Sequence, residues 1–241
     1  MEIELKNLIK KFNGEEVIHS INFKIKGPGI IGYIGPNGAG KTTTFKILAN
    51  LMKADSGNAL IDGIDSKEYK KTLKIASFLI DNPEPYDEMT IREFLKFIGE
   101  IRSINKEIIE NRIDELSKSL HLDNLDKKCG ILSKGNKQRV VIAATLLPDT
   151  DILVLDEPTS GLDPAETYDI KELFKQLGKK KLILFSSHII TEIAELCNDI
   201  IIIDKGKIIK HDSIDNIIKK FGDKENLEKA YINLIRGKYG N

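Results

Sequence analysis

Nine consecutive residues carry the most specific chemistry in the chain. From Gly35 to Thr43 it reads Gly-Pro-Asn-Gly-Ala-Gly-Lys-Thr-Thr, which fits the spacing GxxxxGK[ST]. Gly35, Gly38 and Gly40 let a backbone wrap tightly enough for successive N–H groups to point inward at phosphate oxygens. Pro36, Asn37 and Ala39 complete the loop, and Thr43 follows it. Lys41 supplies a point charge for the β- and γ-phosphates, and the Thr42 hydroxyl can ligate Mg²⁺. A helix following the loop would add its positive N-terminal end. The GxGxxG spacing of a dinucleotide-binding turn is not present here, so that alternative fails at its own fingerprint.

A second constellation is acidic. DILVLDEP, residues 151–158, is an apolar run ending in Asp156 and Glu157. Two carboxylates at a strand end can be a solvated cap and nothing more. Downstream of a phosphate loop they have the makings of a metal and water site. Asp156 would hold Mg²⁺, usually through water, and Glu157 would polarise a water toward the γ-phosphate. Thr159 to Asp163 form a turn-rich loop directly after. KLILFSSH then puts His188 just past another apolar run, at the end where ligands bind open α/β sheets. A lone histidine elsewhere would read as structural.

The elements that must position these groups follow from hydrophobic period. IELKNL and VIHSINFKI read as strands joined through a turn at Asn13-Gly14. GIIGYIG has no polar face and predicts a central strand buried on both sides. Phe45, Ile47, Leu48 and Leu51 predict an amphipathic helix over Lys41 to Met52. Residues 88–146 read as helical and more polar, as in IREFLKFIGEIR and EIIENRIDELSKSLHL. DILVLDEP, TYDIKELFKQLG, KLILFSSH, TEIAELC and DIIIIDKG then alternate strand with helix, the pattern of a parallel sheet with crossover helices. We expect an α/β fold: a P-loop NTPase core with a parallel central sheet, an N-terminal antiparallel β part and a helical insertion. One domain should span 1–241, with the insertion at about 83–146 and a charged helical accessory segment at about 212–241.

Bulk composition narrows the classes. Lys and Arg number 37, against 37 Asp and Glu, so the basic excess usual in nucleic-acid binders is absent. The two cysteines, Cys129 and Cys197, have no metal-like spacing and read as free thiols in a reduced compartment. No run approaches the roughly 20 apolar residues of a membrane span, and MEIELKNLIKKF lacks the form of a signal peptide. These features predict a cytoplasmic chain.

One further segment resembles a family. Leu132-Ser-Lys-Gly-Asn-Lys-Gln138-Arg139 is similar to the LSGGQ signature of ABC transporter nucleotide-binding domains, a short distance before DILVLDEP. Ser133 and Gly135 are retained, while Lys134 and Asn136 depart from the commoner glycine and glutamine. The resemblance covers nearly the whole chain and implies ATP and Mg²⁺ as ligands. It implies that Ser133 and the backbone after it bind the γ-phosphate of ATP held by a second subunit, expected to be identical; the same serine can equally be a helix cap. It places Phe12 on adenine, against a competing role as a core side chain, and gives Asp163 a place in the loop that communicates across the dimer. Asp81 falls where relatives carry glutamine, or glutamate in exporters of the bacitracin and lantibiotic type. It is either a metal-side residue or a turn residue before Pro83.

The resemblance implies a Mg²⁺-dependent ATPase that energises a separate transmembrane permease, docked near 82–100 and peripheral on the inner face of the membrane. No nucleic-acid partner is expected. Exporter is the favoured direction, on Asp81, the LSKGNKQR wording and the tail LEKAYINLIRGK. An importer subunit and a soluble ABC ATPase acting on nucleic acid or ribosomes are the alternatives. Lys41, Asp156, Glu157 and His188 together argue against a non-enzymatic binding module.

Overall fold

In the computed structural model, which describes residues 1–221 and 226–239, Asn13 and Gly14 both take positive φ, 51° and 88°. That is the geometry of a two-residue hairpin turn. It joins β1 (Glu2–Phe12) to β2 (Glu15–Lys26) in antiparallel register. β4 (Ser56–Ile61) pairs with the other edge of β1, and β5 (Ile64–Asp65) pairs with β4. The resulting antiparallel sheet has the order β2-β1-β4-β5.

The second sheet contains β3 (Gly29–Ile34), β6 (Ala76–Leu79), β7 (Ile152–Asp156), β8 (Leu182–Ser187), β9 (Asp199–Asp204) and β10 (Lys207–Ser213). Its order is β10-β9-β3-β8-β7-β6, parallel except for the β9–β10 hairpin. Every residue of β7 and β8 is buried, as apolar runs without a polar face require. Tyr33 and Phe45 fill the layer between the two sheets, and Phe174 and Phe185 the layer beneath the helices. The latter two rings meet edge-on at 6.1 Å. Each such side chain contributes on the order of 1.5–3 kcal/mol by leaving water.

Helix α1 (Lys41–Leu48) is shorter than its apolar spacing predicts. Asn50 adopts φ 55° just past its end, and Leu51, the last residue of the apolar pattern, stays 68% exposed. The short α2 (Tyr69–Thr72) follows β5. The helical middle consists of α3 (Ile91–Ile101), α4 (Lys106–Ser119) and α5 (Lys134–Leu146). Buried Ile91, Phe94 and Leu95 on α3 and Ile109, Ile113 and Leu116 on α4 recur at helical spacing and join one core with α5. The link from α4 to α5 is not helical, apart from a single turn at Cys129–Ile131.

Downstream, α6 (Pro164–Gly178) and α7 (Ile190–Leu196) flank the parallel sheet. The 212–241 segment begins inside β10 and continues as α8 (Ile214–Phe221) and α9 (Leu227–Tyr239). Its stretches 222–225 and 240–241 lie outside the described residues. Cys129 and Cys197 are free and buried, and burial pushes both thiols above their usual value. No helix among the described residues is long and apolar enough to cross a membrane.

Candidate active site

β3, β8 and β7 are adjacent and parallel, so their carboxyl ends share one edge of the sheet. From that edge emerge the 35–40 loop, His188, and the Asp156-Glu157 pair. Register completes the convergence: Ile34 lies opposite Ser187, and Asp156 opposite Ser186.

The three loop glycines answer to different constraints. A Cβ at Gly35 would collide with the carbonyl oxygen of Ile203, and one at Gly40 (φ 104°) would lie 2.5 Å from Ile18 Cδ1. Gly38 is different: a Cβ there would meet nothing within 4 Å, so space does not demand glycine at that position. Its φ of 77° does, since a side chain is strained in that left-handed region. Tight wrapping therefore explains Gly35 and Gly40, whereas Gly38 is set by torsion alone. Gly38 is exposed at the tip with Pro36 and Asn37, while Ala39 is buried beneath it.

Gly40 is also the residue from which α1 starts, and Thr43 lies in the first turn of that helix. Lys41, only 6% exposed, folds back over the loop and donates to the carbonyl oxygens of Gly35 at 2.7 Å and Pro36 at 3.3 Å. Glu157 Oε1 is 4.0 Å away, beyond hydrogen-bond reach, so two of the ammonium's three donors are engaged. Burial pushes Lys41 below the usual lysine value, opposed by the charges of Glu157 and Asp156. Such a cation gains strongly from an anionic ligand.

Asp156 is 5% exposed and receives two hydroxyls: Thr42 Oγ1 donates to Oδ2 at 2.7 Å, and Ser186 Oγ to Oδ1 at 2.5 Å. Ser186 Oγ also accepts from the Glu157 backbone N–H at 3.0 Å. Glu157 sits at φ 46°, unusual for a residue other than glycine. The hydrogen bonds of its N–H to Ser186 hold it there, and the bend aims its side chain between Lys41 and His188. Glu157 Oε2 is 3.1 Å from His188 Nδ1. A cavity of about 230 Å³ beside them is lined by Glu157, Thr159, Gly161, His188 and Glu192, among others.

The structure thus brings Lys41, Thr42, Asp156, Glu157 and His188 together. Ser133 and Asp163 take up the two helix starts nearby. Ser133 caps α5, its Oγ accepting from Asn136 N–H at 3.2 Å. Asp163 caps α6 in a capping box with Glu166. Gly135 lies under the Glu166 carboxylate, and Lys134 lies across Gly161 of the 159–163 loop. Phe12 ends β1 and is 42% exposed, which removes its reading as a core side chain; Lys10 Nζ is 5.3 Å from its ring centroid. Asp81 (φ 67°) joins neither the Thr42–Asp156 nor the Glu157–His188 pair. It is 63% exposed and bonded to Lys46 of α1 at 2.7 Å.

Four residues that the sequence reading did not single out for the site make hydrogen bonds into it: Ser186, Gln138, Glu166 and Glu192. Gln138, buried on α5, donates to the carbonyl oxygen of Pro158 at 2.7 Å and so fastens that helix to the chain just past Glu157. The polar pair Ser186-Ser187 closing an otherwise apolar run was the visible signal for the first of them.

Oxygen donors from Thr42 and Asp156, set beside a buried lysine, suit a hard divalent cation together with phosphate. A parallel sheet in which GxxxxGKT follows β3, and β7, separated from β3 by β8, delivers a carboxylate to that threonine, is the arrangement of a P-loop nucleoside triphosphatase. The sequence profile described as "ABC transporter" matches residues 18–160, and the chain belongs to that family. It is 37% identical to the uncharacterized ABC transporter ATP-binding protein YhcH of Bacillus subtilis, over 86% of this chain and 68% of YhcH. It is 36% identical to the bacitracin transport ATP-binding protein BcrA of Bacillus licheniformis, over 90% and 72%. A probable sulfate/thiosulfate import ATP-binding protein, CysA of Chlorella vulgaris, is 31% identical over 87% and 90%.

Among solved structures, an ATP-binding subunit of an ABC transporter superposes with a TM-score of 0.90 at 26% identity, covering 98% of this chain and all of that one. A dimeric post-hydrolysis state of the ATP-binding cassette MJ0796, bound to ADP and Pi, superposes with a TM-score of 0.80 at 25% identity, covering 88% and 98%. The chain is an ATP-binding subunit of a transporter and carries an ABC ATPase domain.

Proposed function

We propose that this subunit powers an exporter by Mg²⁺-dependent ATP hydrolysis in a dimer, docked on a separate permease at the inner face of the membrane. The observation that carries the hydrolytic part is Glu157 held between Lys41 and His188, one residue after the carboxylate bonded to Thr42. The loop 35–40 and Lys41 bind and orient the β- and γ-phosphates; Phe12 stacks on the adenine. Thr42 and Asp156 would hold Mg²⁺, which when bound neutralises charge on the phosphate oxygens. Glu157 polarises the attacking water and His188 steadies its far oxygen. The start of α5, capped by Ser133, serves the γ-phosphate of the partner's ATP.

For the membrane partner, the 82–100 region offers Tyr86, 57% exposed and edge-on to Phe94 and Phe97 at 6.0 and 5.7 Å. Lys137 of α5 ties the same loop down through Glu84 at 3.3 Å and Asp87 at 2.9 Å. A push there would reach the signature helix directly. Export is favoured by the acidic Asp81, the α9 tail and the likeness to a bacitracin transport protein.

Two measurements test this. Glu157→Gln should slow turnover by about 10²- to 10⁴-fold, the weight of a positioned base, while keeping ATP binding and accumulating an ATP-bound dimer on size-exclusion chromatography. Loss of ATP binding would make Glu157 structural. In vesicles carrying the chain with its co-purifying membrane protein, ATP on the chain's side should drive substrate away from that side. Movement toward the ATP would make it an importer.

A further inference from the structure

Glu192 lies on α7, outside every motif discussed above, yet its carboxylate is buried at 7% exposure with no cation paired to it among the described residues. A carboxylate is costly to bury unless it is well hydrogen-bonded. Two hydroxyls meet it on one oxygen: Thr159 Oγ1 at 3.1 Å and Ser187 Oγ at 2.7 Å, both on Oε2. Ser187 Oγ in turn accepts from the Ile189 N–H at 2.9 Å, bracing the turn that carries His188. Both donors are almost fully buried, at 6% and 2% exposure.

Their positions in the chain give the arrangement its meaning. Thr159 follows Glu157 by two residues, and Ser187 immediately precedes His188. One carboxylate oxygen therefore joins the loop leaving β7 to the end of β8, on the same cavity where Glu157 Oε2 and His188 Nδ1 stand 3.1 Å apart. Strand register fixes Asp156 against Ser186, and the Glu157 N–H still reaches Ser186, but the β7–β8 pairing ends there. The Glu192 bridge takes over where the sheet stops.

We propose that Glu192 is a positioning residue for hydrolysis: through Thr159 and Ser187 it holds the Glu157 and His188 segments at a fixed spacing. The proposal rests on the reading of Glu157 as the water-polarising group. What Glu192 supplies is one oxygen with two lone pairs, and a glutamine amide oxygen has the same capacity. A leucine has neither. Displacement of a positioned group by about 1 Å can cost on the order of 10²-fold in rate.

The test compares Glu192→Leu, Glu192→Gln and Thr159→Val by ATP turnover, ATP affinity, thermal unfolding and the NMR signals of the His188 ring. Glu192→Leu should lose about 10²-fold in kcat with ATP affinity within about threefold, because the phosphate loop is untouched. Glu192→Gln should recover most of that loss. The His188 signals should move in the leucine variant and return in the glutamine variant, a readout that needs no hydrolysis and so stands apart from the assignment of Glu157. Should Glu192→Leu fail to fold, Thr159→Val removes one of the two donors and should lower kcat by itself. The proposal is overturned by full turnover in Thr159→Val and Glu192→Leu, by equal loss in the glutamine and leucine variants, or by unmoved His188 signals.

Discussion

The carboxylate of Glu166 occupies the space that a side chain on Gly135 would need: a Cβ built there would lie 2.7 Å from Oε1 and closer still to Oε2. The same carboxylate is committed elsewhere. Its Oε2 accepts from the Asp163 N–H at 3.2 Å, and its Oε1 is 3.6 Å from Arg139 Nε, in the second turn of α5. The start of the signature helix and the loop ending at Asp163 are therefore one mechanical piece, and Gly135 is small because Glu166 lies on it.

Gly135→Ala should separate stability from function. Alanine gains about 1 kcal/mol of helix propensity over glycine. Pushing Glu166 off its cap costs a comparable amount, about 1 kcal/mol. Thermal unfolding should then move little, while ATP turnover falls about tenfold or more as the Asp163 loop shifts, an extent comparable to other losses of positioning. Unchanged turnover would show that Glu166 swings aside without consequence.

Lys41→Met should abolish ATP hydrolysis, because nothing then neutralises the β- and γ-phosphates from inside the loop. It also has a signature in the nucleotide-free protein. Burial lowers the folded-state pKa of Lys41 below its unfolded value, so between the two values the unfolded chain binds more protons. Stability attributable to this group therefore rises with pH across that window. Denaturant unfolding at several pH values should show wild type gaining on Lys41→Met as pH climbs toward the ordinary lysine range. A difference independent of pH would mean that the Glu157 and Asp156 charges cancel the effect of burial and leave the Lys41 pKa unchanged on folding.

Much of this was readable in the chain because the signals are local. The Asn13-Gly14 turn, the apolar run of β3 and the phosphate loop are each set by the chemistry of adjacent residues. Other features were not local. The spacing of Gly35, Gly38 and Gly40 marks the loop, but not that Gly35 and Gly40 are fixed by contacts with Ile203 and Ile18 while Gly38 has open space around it. β4 contains Gly57 and Asn58 and reads poorly as a strand; its partner is β1, and Gly57 (φ 82°) crosses close against the backbone of Lys6 and Asn7. Ser186 serves Asp156 only because register places them opposite each other, 30 residues apart. The early end of α1 depends on Asn50 turning the chain away, which the apolar period of Phe45 to Leu51 cannot express.

Asp81 presents a choice between two roles with different consequences. Its pair with Lys46 is an exposed ion pair, worth at most about 1 kcal/mol, so Asp81→Ala should barely change unfolding. If the carboxylate also works on the metal side during turnover, as proposed from its position in the chain, hydrolysis should slow with ATP affinity intact. The measurement is kcat beside equilibrium ATP binding. Full activity in Asp81→Ala would leave it as a surface ion pair holding the 81–90 loop to α1.

The composite site is tested at Ser133. Among the described residues its Oγ accepts only the N–H of Asn136, so Ser133→Ala removes a cap costing about 1 kcal/mol and should leave a folded protein. Ser133→Arg instead sets bulk over the N–H groups that would face the partner's γ-phosphate. It should remove hydrolysis although its own Lys41, Thr42 and Asp156 are unaltered. Mixing then discriminates between the subunits. A heterodimer of Lys41→Ala with Ser133→Arg has one site carrying both lesions and one carrying neither, so activity should partly return when the two inactive proteins are combined. Wild-type turnover in Ser133→Arg alone would reduce the LSKGNKQR segment to a helix start, and the shared-site reading would fall with it.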